Sequence, residues 1–165
     1  MTDTTPSSAT FTLTEPAETP WLGVFFGYVA MVPFVVGVLA FWLAGEPWRG
    51  AALAITLFWG CAILTFLAGV RRGVSFRTPG GVAAAQIVTM LWLFCLGFAA
   101  IVLTAVALPV WATALLLLGY LSLQVFDPIA ARKLEAPLYF ARLRPAQMAI
   151  PLLCLLSTLV LLLAR

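Results

Sequence analysis

Residues 82–126 are 45 consecutive positions without a Lys, Arg, Asp or Glu, and nearly all of them are apolar. As one α-helix this run would extend about 68 Å at 1.5 Å per residue, more than twice the roughly 30 Å hydrocarbon core of a bilayer. A chain of this kind has to reverse inside the run. Pro109 is the best break, because it lacks a backbone donor and pushes Leu108 away from helical dihedrals. The run therefore reads as two membrane spans, 82–106 and 109–126, joined by a very short turn.

The rest of the chain carries the same signal. Apolar segments at 21–44, 51–70 and 146–164 each suffice to cross a bilayer. Over the whole sequence 64% of residues are apolar and 9% charged, against about 25% charged in ordinary soluble domains. That is too little charge to cover a water-facing surface. The expected fold is an all-α membrane protein, a single bundle of about five transmembrane helices over 21–165. It follows an N-terminal tail, residues 1–20, rich in Thr, Ser, Pro and Ala and read as disordered. The tail has acidic residues but no Lys or Arg, so neither a secretory signal nor a mitochondrial presequence fits.

Breakers and charges punctuate the spans. Pro33 predicts a kink in the first, and Gly45, Glu46 and Pro47 a turn after it. The second span is expected to stop at Arg71 and Arg72, with a linker from Gly73 ending in Thr78, Pro79, Gly80 and Gly81. Asp127 followed by Pro128 resembles a helix start, with Asp as the capping residue. It predicts two turns of surface helix ended by Pro137, then an aromatic and basic stretch, 138–144, at the lipid headgroups.

Orientation follows from the positive charges. With five spans, one side collects Arg71, Arg72, Arg77, Arg132, Lys133, Arg142 and Arg144, and the other only Arg49 and Arg165. The positive-inside rule puts the first group in the cytoplasm. The N-terminus is expected inside, the C-terminus outside, and the protein in a bacterial cytoplasmic (inner) membrane as a multi-pass component.

Chemistry is sparse. There is no His, and Cys61, Cys95 and Cys154 are isolated within apolar runs, so no metal ligand set, imidazole-based triad or cofactor site is legible. Polar side chains within the spans, such as Thr89, Tyr120 and Gln147, read as interhelical hydrogen-bonding groups. Gly23 with Gly27 and Gly69 with Gly73 have the spacing of close helix crossings, which packing within one subunit explains as well as dimerisation. Arg71, Arg72, Asp127, Arg142 and Arg144 fall together at the cytoplasmic ends of spans two, four and five. If those helices are neighbours, Asp127 pairs with one arginine and leaves others to grip phosphate. The bland alternative is that they are ordinary anchors reaching to the interface.

At these residues the chain resembles the transmembrane-protein-69-like family, small bacterial and mitochondrial membrane proteins without an assigned function. The resemblance rests on Phe66, Leu67, Ala68, Gly69, Val70, Arg71, Arg72 and Gly73, similar to the family's Phe-Leu-Gly-Gly-(Val/Ile)-x-Trp-Gly. It extends to Tyr28, Met31, Pro33 and Phe34, to Asp127, and to Pro137, Leu138, Tyr139, Phe140, Leu143 and Arg144. Arg72 stands where the family has Trp, and Ala68 where Gly is usual, which weakens any ring-stacking role for the motif. The resemblance implies a five-helix bundle in an inner membrane and no particular reaction.

The expected function is a non-catalytic accessory or assembly factor for a membrane complex. The alternative is a lipid or isoprenoid/quinone binder or carrier using the cytoplasmic-side arginines, and it requires a groove between helices opening toward them. An enzyme would have to use Asp127 with an arginine or Tyr139. The expected partners are the lipid bilayer and an anionic lipid or a membrane protein complex, with no nucleic acid, metal or cofactor.

Overall fold

A helix satisfies its own backbone donors and acceptors, and in lipid that requirement is close to absolute. The apolar segments accordingly form helices. The computed structural model describes residues 21–76, 83–132 and 140–164. It contains α1 (Trp21–Val29), α2 (Val32–Leu43), α3 (Trp48–Ser75), α4 (Ala84–Ala105), α5 (Pro109–Arg132) and α6 (Phe140–Leu163). Helices α1 and α2 together make one span, giving five segments long and apolar enough to cross a membrane. No strand occurs among the described residues. The tail 1–20, Arg77, the Thr78–Gly81 linker, Val82 at the expected start of the third span, the stretch 133–139 and Arg165 lie outside them.

The surface has the polarity of a lipid-facing one. Ile55, Phe66, Phe98 and Leu153, all well inside their helices, are exposed. Trp48 and Trp111, at the starts of α3 and α5, are exposed at one end of the bundle, as expected of residues anchored at a membrane interface. The chain is an all-helical integral membrane protein.

The reversal between α4 and α5 takes three residues. Ala107 has φ 57°, and its N–H bonds to the Thr104 carbonyl while that of Leu108 bonds to Leu103. This pairing satisfies carbonyls that the end of α4 leaves open and is the Schellman arrangement. Pro109 then begins α5, where a missing N–H is harmless.

Pro33 does more than kink the first span. It has no N–H for the Val29 carbonyl, and its ring crowds that carbonyl, so the helix breaks at Ala30 and Met31. Met31 N–H turns to Tyr28 and Phe34 N–H to Met31, which releases the carbonyls of Gly27 and Ala30. Side chains of other helices take them up: Gln147 Nε2 donates to Gly27 at 2.8 Å and Trp59 Nε1 to Ala30 at 2.9 Å.

Three expected boundaries are corrected. Helix α3 does not stop at Arg71 and Arg72 but runs to Ser75, carrying both arginines and Gly73 within it. Helix α5 passes through Asp127 and Pro128 to Arg132, so Asp127 caps nothing; its carboxylate is engaged by two arginines instead. Helix α6 starts at Phe140 rather than Ala146, with Pro145 and Pro151 inside it.

Helices α2 to α6 follow one another around the bundle, α6 closes on α2, and α3 meets α5 across the middle, while α1 rests against α6. The centre holds Phe34, Leu57, Cys61, Leu64, Leu116, Tyr120 and Leu155. Tyr120 donates its hydroxyl to the Gly60 carbonyl at 2.8 Å, and its ring meets Phe34 edge-on at 5.6 Å. Small residues let α3 approach its neighbours: Gly37 faces Thr56, Gly97 faces Thr65 and Gly119 faces Leu64, with no room for a methyl group. The glycines singled out by spacing behave differently. Around Gly23, Gly69 and Gly73 a Cβ would meet nothing within 4 Å, and only Gly27 is crowded, by Gln147.

Candidate functional site

The charged residues meet because three helices bring their last or first turns to the same level. Arg71 lies four residues before the end of α3, Asp127 five before the end of α5, and Arg144 four after the start of α6. Arg71 is 23 residues, about 35 Å, along α3 from the interfacial Trp48. That distance slightly exceeds the hydrocarbon core, so a crossing with Trp48 at one interface would bring the cluster to headgroup depth on the far side.

Asp127 is the hub. Arg71 donates from Nε to Asp127 Oδ1 at 3.0 Å, and its Nη2 donates to the same oxygen. Arg144 Nε lies 3.2 Å from Oδ2. The side chains of Asp127 and Arg144 are 4% and 7% exposed, that of Arg71 15%. Arg71 Nη1 also donates to Thr89 Oγ1 at 3.0 Å, and that hydroxyl donates to the Ala85 carbonyl at 2.8 Å. One carboxylate thus ties α3, α5 and α6 directly and α4 through Thr89. Desolvating charges is costly unless each is paired and hydrogen-bonded, and here the two oxygens of Asp127 are divided between two guanidinium groups. The formal sum is +1.

The pairing differs from the expected one. Asp127 holds two arginines, not one. Arg72 stands apart, half-buried, with its guanidinium carbon 4.3 Å from the centre of the Phe76 ring, a cation–π distance. Arg142 is exposed at the start of α6. Of the five grouped residues the structure unites Arg71, Asp127 and Arg144. Tyr139 lies outside the described residues.

Beside this cluster runs a cleft of about 170 Å³ between α1, α3 and α6. Its walls are apolar, from Phe26 on α1, Ala30 in the break after it, and Ile63, Phe66 and Val70 on α3, and α6 contributes Arg144 and Gln147. The break at Ala30 and Met31 shapes it, because Gln147 holds the exposed helix α1 by the Gly27 carbonyl. Thr89 and Gln147 make the interhelical hydrogen bonds expected of them, whereas nothing in the sequence marks Trp59. One signal in the sequence was available: Arg144 and Gln147 are three apart on a helix and share a face.

Comparison with protein-family models, with curated proteins and with solved structures returned no match.

Proposed function

We propose that this integral membrane protein is a non-catalytic binder of an anionic lipid, which it recognises at its arginine-bearing end in a bacterial inner membrane. The observation that carries this reading is the Arg71–Asp127–Arg144 cluster: Asp127 and Arg144 buried and Arg71 half-buried, with one positive charge in excess. A guanidinium excess at headgroup depth attracts phosphate. The distribution of Lys and Arg along the sequence supports a cytoplasmic position for this end. Kinship with the transmembrane-protein-69-like family belongs to the same proposal, since Arg71, Asp127 and Arg144 are among the residues on which the resemblance rests.

The test is purification into nanodiscs of native lipid, with mass spectrometry of everything that accompanies the protein. Enrichment of an anionic lipid over its bulk fraction is the expected outcome. A lipid complement identical to bulk would sink the reading.

A second reading, an accessory or assembly subunit of a membrane complex, draws on the exposed Arg132 and Arg142 at the same end. It expects a stoichiometric protein partner in the same preparation, lost when both arginines are changed to Ala.

A further inference from the structure

We propose that the cleft between α1, α3 and α6 holds one hydrocarbon chain of an anionic phospholipid, with the phosphate at the Arg144 end. The inference rests on the lipid-binding reading and adds the site, the part of the lipid it takes and the direction in which the lipid lies.

Direction comes from the order of the lining residues. Helix α3 runs toward the arginine end, so Val70 lines the cleft near that end and Ile63 lies about 10 Å deeper. Helix α1 starts at the same end and runs the other way, taking the wall from Gly23 down to Gly27, and Ala30 and Met31 of the break continue it. On α6, Arg144 and Gln147 stand within the first two turns. The cleft is therefore polar and positive at headgroup depth and apolar toward the bilayer centre. A phospholipid of that leaflet has the same sequence of chemistry along its length.

Size selects the chain. At about 170 Å³ the cleft is smaller than the roughly 300–1,000 Å³ pockets that enclose whole ligands, so it takes a single chain in part of its length and not a whole lipid. An apolar space bordering lipid also gains dispersion contacts when a chain fills it.

Charge selects the headgroup. The cluster behind Arg144 has a formal +1, so a lipid with a net negative phosphate is favoured over a zwitterionic one. One basic charge near a membrane surface is worth roughly 1 kcal/mol toward anionic lipid, about fivefold in occupancy.

The experiment uses the full chain in nanodiscs doped with phosphatidylglycerol carrying a photoreactive diazirine in one acyl chain, and in parallel with phosphatidylcholine carrying the same chain. Cross-linked peptides are mapped by mass spectrometry. Labelling by the anionic probe is expected to concentrate on Phe26, Ile63 and Phe66, about fivefold above the zwitterionic probe. Gly23→Leu places a side chain in the open space at the cleft mouth and should abolish that concentration, and Ile63→Trp should do the same from the α3 wall. Phe98→Trp, on the exposed face of α4, should leave it intact. Equal labelling by both probes, labelling spread evenly to Phe98, or persistence in a folded filling variant would overturn the assignment. Enrichment of anionic lipid with labels outside the cleft would remove the cleft and leave the lipid-binding reading standing; no enrichment would remove both.

Discussion

Arg71 on α3 and Asp127 on α5, 56 residues apart, are joined by two hydrogen bonds to the single oxygen Oδ1, and this leaves Oδ2 to Arg144 on α6. The division matters because each arginine meets its own carboxylate oxygen, so the helices are fixed relative to one another. Removing the carboxylate exposes both arginines to each other in a desolvated place.

Asp127→Ala should therefore be among the most damaging single changes in the protein. Breaking a buried ionic pair by deleting one partner costs about 3–5 kcal/mol. Asp127→Asn should fall in the same direction, since the amide fills the space but lacks the charge. Arg142→Ala, on an exposed residue, should stay within about 0.5 kcal/mol of the parent. Unfolding in mild detergent, followed by loss of helical circular dichroism, measures all three. Equal stability of Asp127→Ala and Arg142→Ala would contradict the hub.

Stability and recognition are separable. Replacing a whole buried ionic cluster by apolar residues of similar volume is often neutral or stabilising. The triple variant Arg71→Met, Asp127→Leu, Arg144→Met is expected to recover most of what Asp127→Ala loses, while losing the enrichment of anionic lipid in nanodiscs. A triple variant that still enriches anionic lipid would assign recognition to other groups, with Arg72 and Arg142 next in line.

The turn between α4 and α5 makes a narrower prediction. Ala107 has φ 57° and an exposed side chain, and a Cβ in that region costs roughly 1–2 kcal/mol. Ala107→Gly should raise stability by about 1 kcal/mol, tempered by the entropy glycine loses on folding. Ala107→Val should lower it. The same unfolding measurement decides, and a fall with Gly would mean that this backbone conformation is not the one populated.

Much of the fold was legible because its signals are local. The 45-residue uncharged run has to reverse, Pro109 is where the backbone can most easily do so, and α5 begins there. The errors came where tertiary contacts override a local signal. Asp127 before Pro128 has the form of a cap, yet the carboxylate is held by two guanidinium groups from other helices, and the helix continues past it. Pro33 announced a bend, but only the neighbouring helices reveal why a full break is tolerated: Gln147 and Trp59 supply the donors that the released carbonyls require. The arginine cluster was visible as a grouping by level. Its division into a paired core and an outlying Arg72 and Arg142 depends on helix rotation, which hydropathy leaves undetermined. The cleft depends on the same rotation and on the α1–α2 break.

Glycine spacing is the clearest case of a pattern that looks informative and points to the wrong residues. Gly69 and Gly73 fit a small-residue crossing motif, yet open space surrounds both, whereas Gly97 has Thr65 Cγ2 only 2.7 Å from where a Cβ would stand and Gly119 is pressed against Leu64. The difference lies in which face of α3 turns inward: Leu64, Leu67 and Ala68 are buried while Gly69 and Gly73 face out. Gly97→Ala and Gly119→Ala should each lower stability by about 1–3 kcal/mol, the range for overpacking a tight interior. Gly69→Ala should be neutral or stabilising by up to about 1 kcal/mol, since alanine is the better helix former. Unfolding of the three variants side by side checks the ordering. If Gly69→Ala instead destabilised the protein in a way that grew with its concentration, Gly69 would lie in a contact between two copies of the chain rather than against lipid.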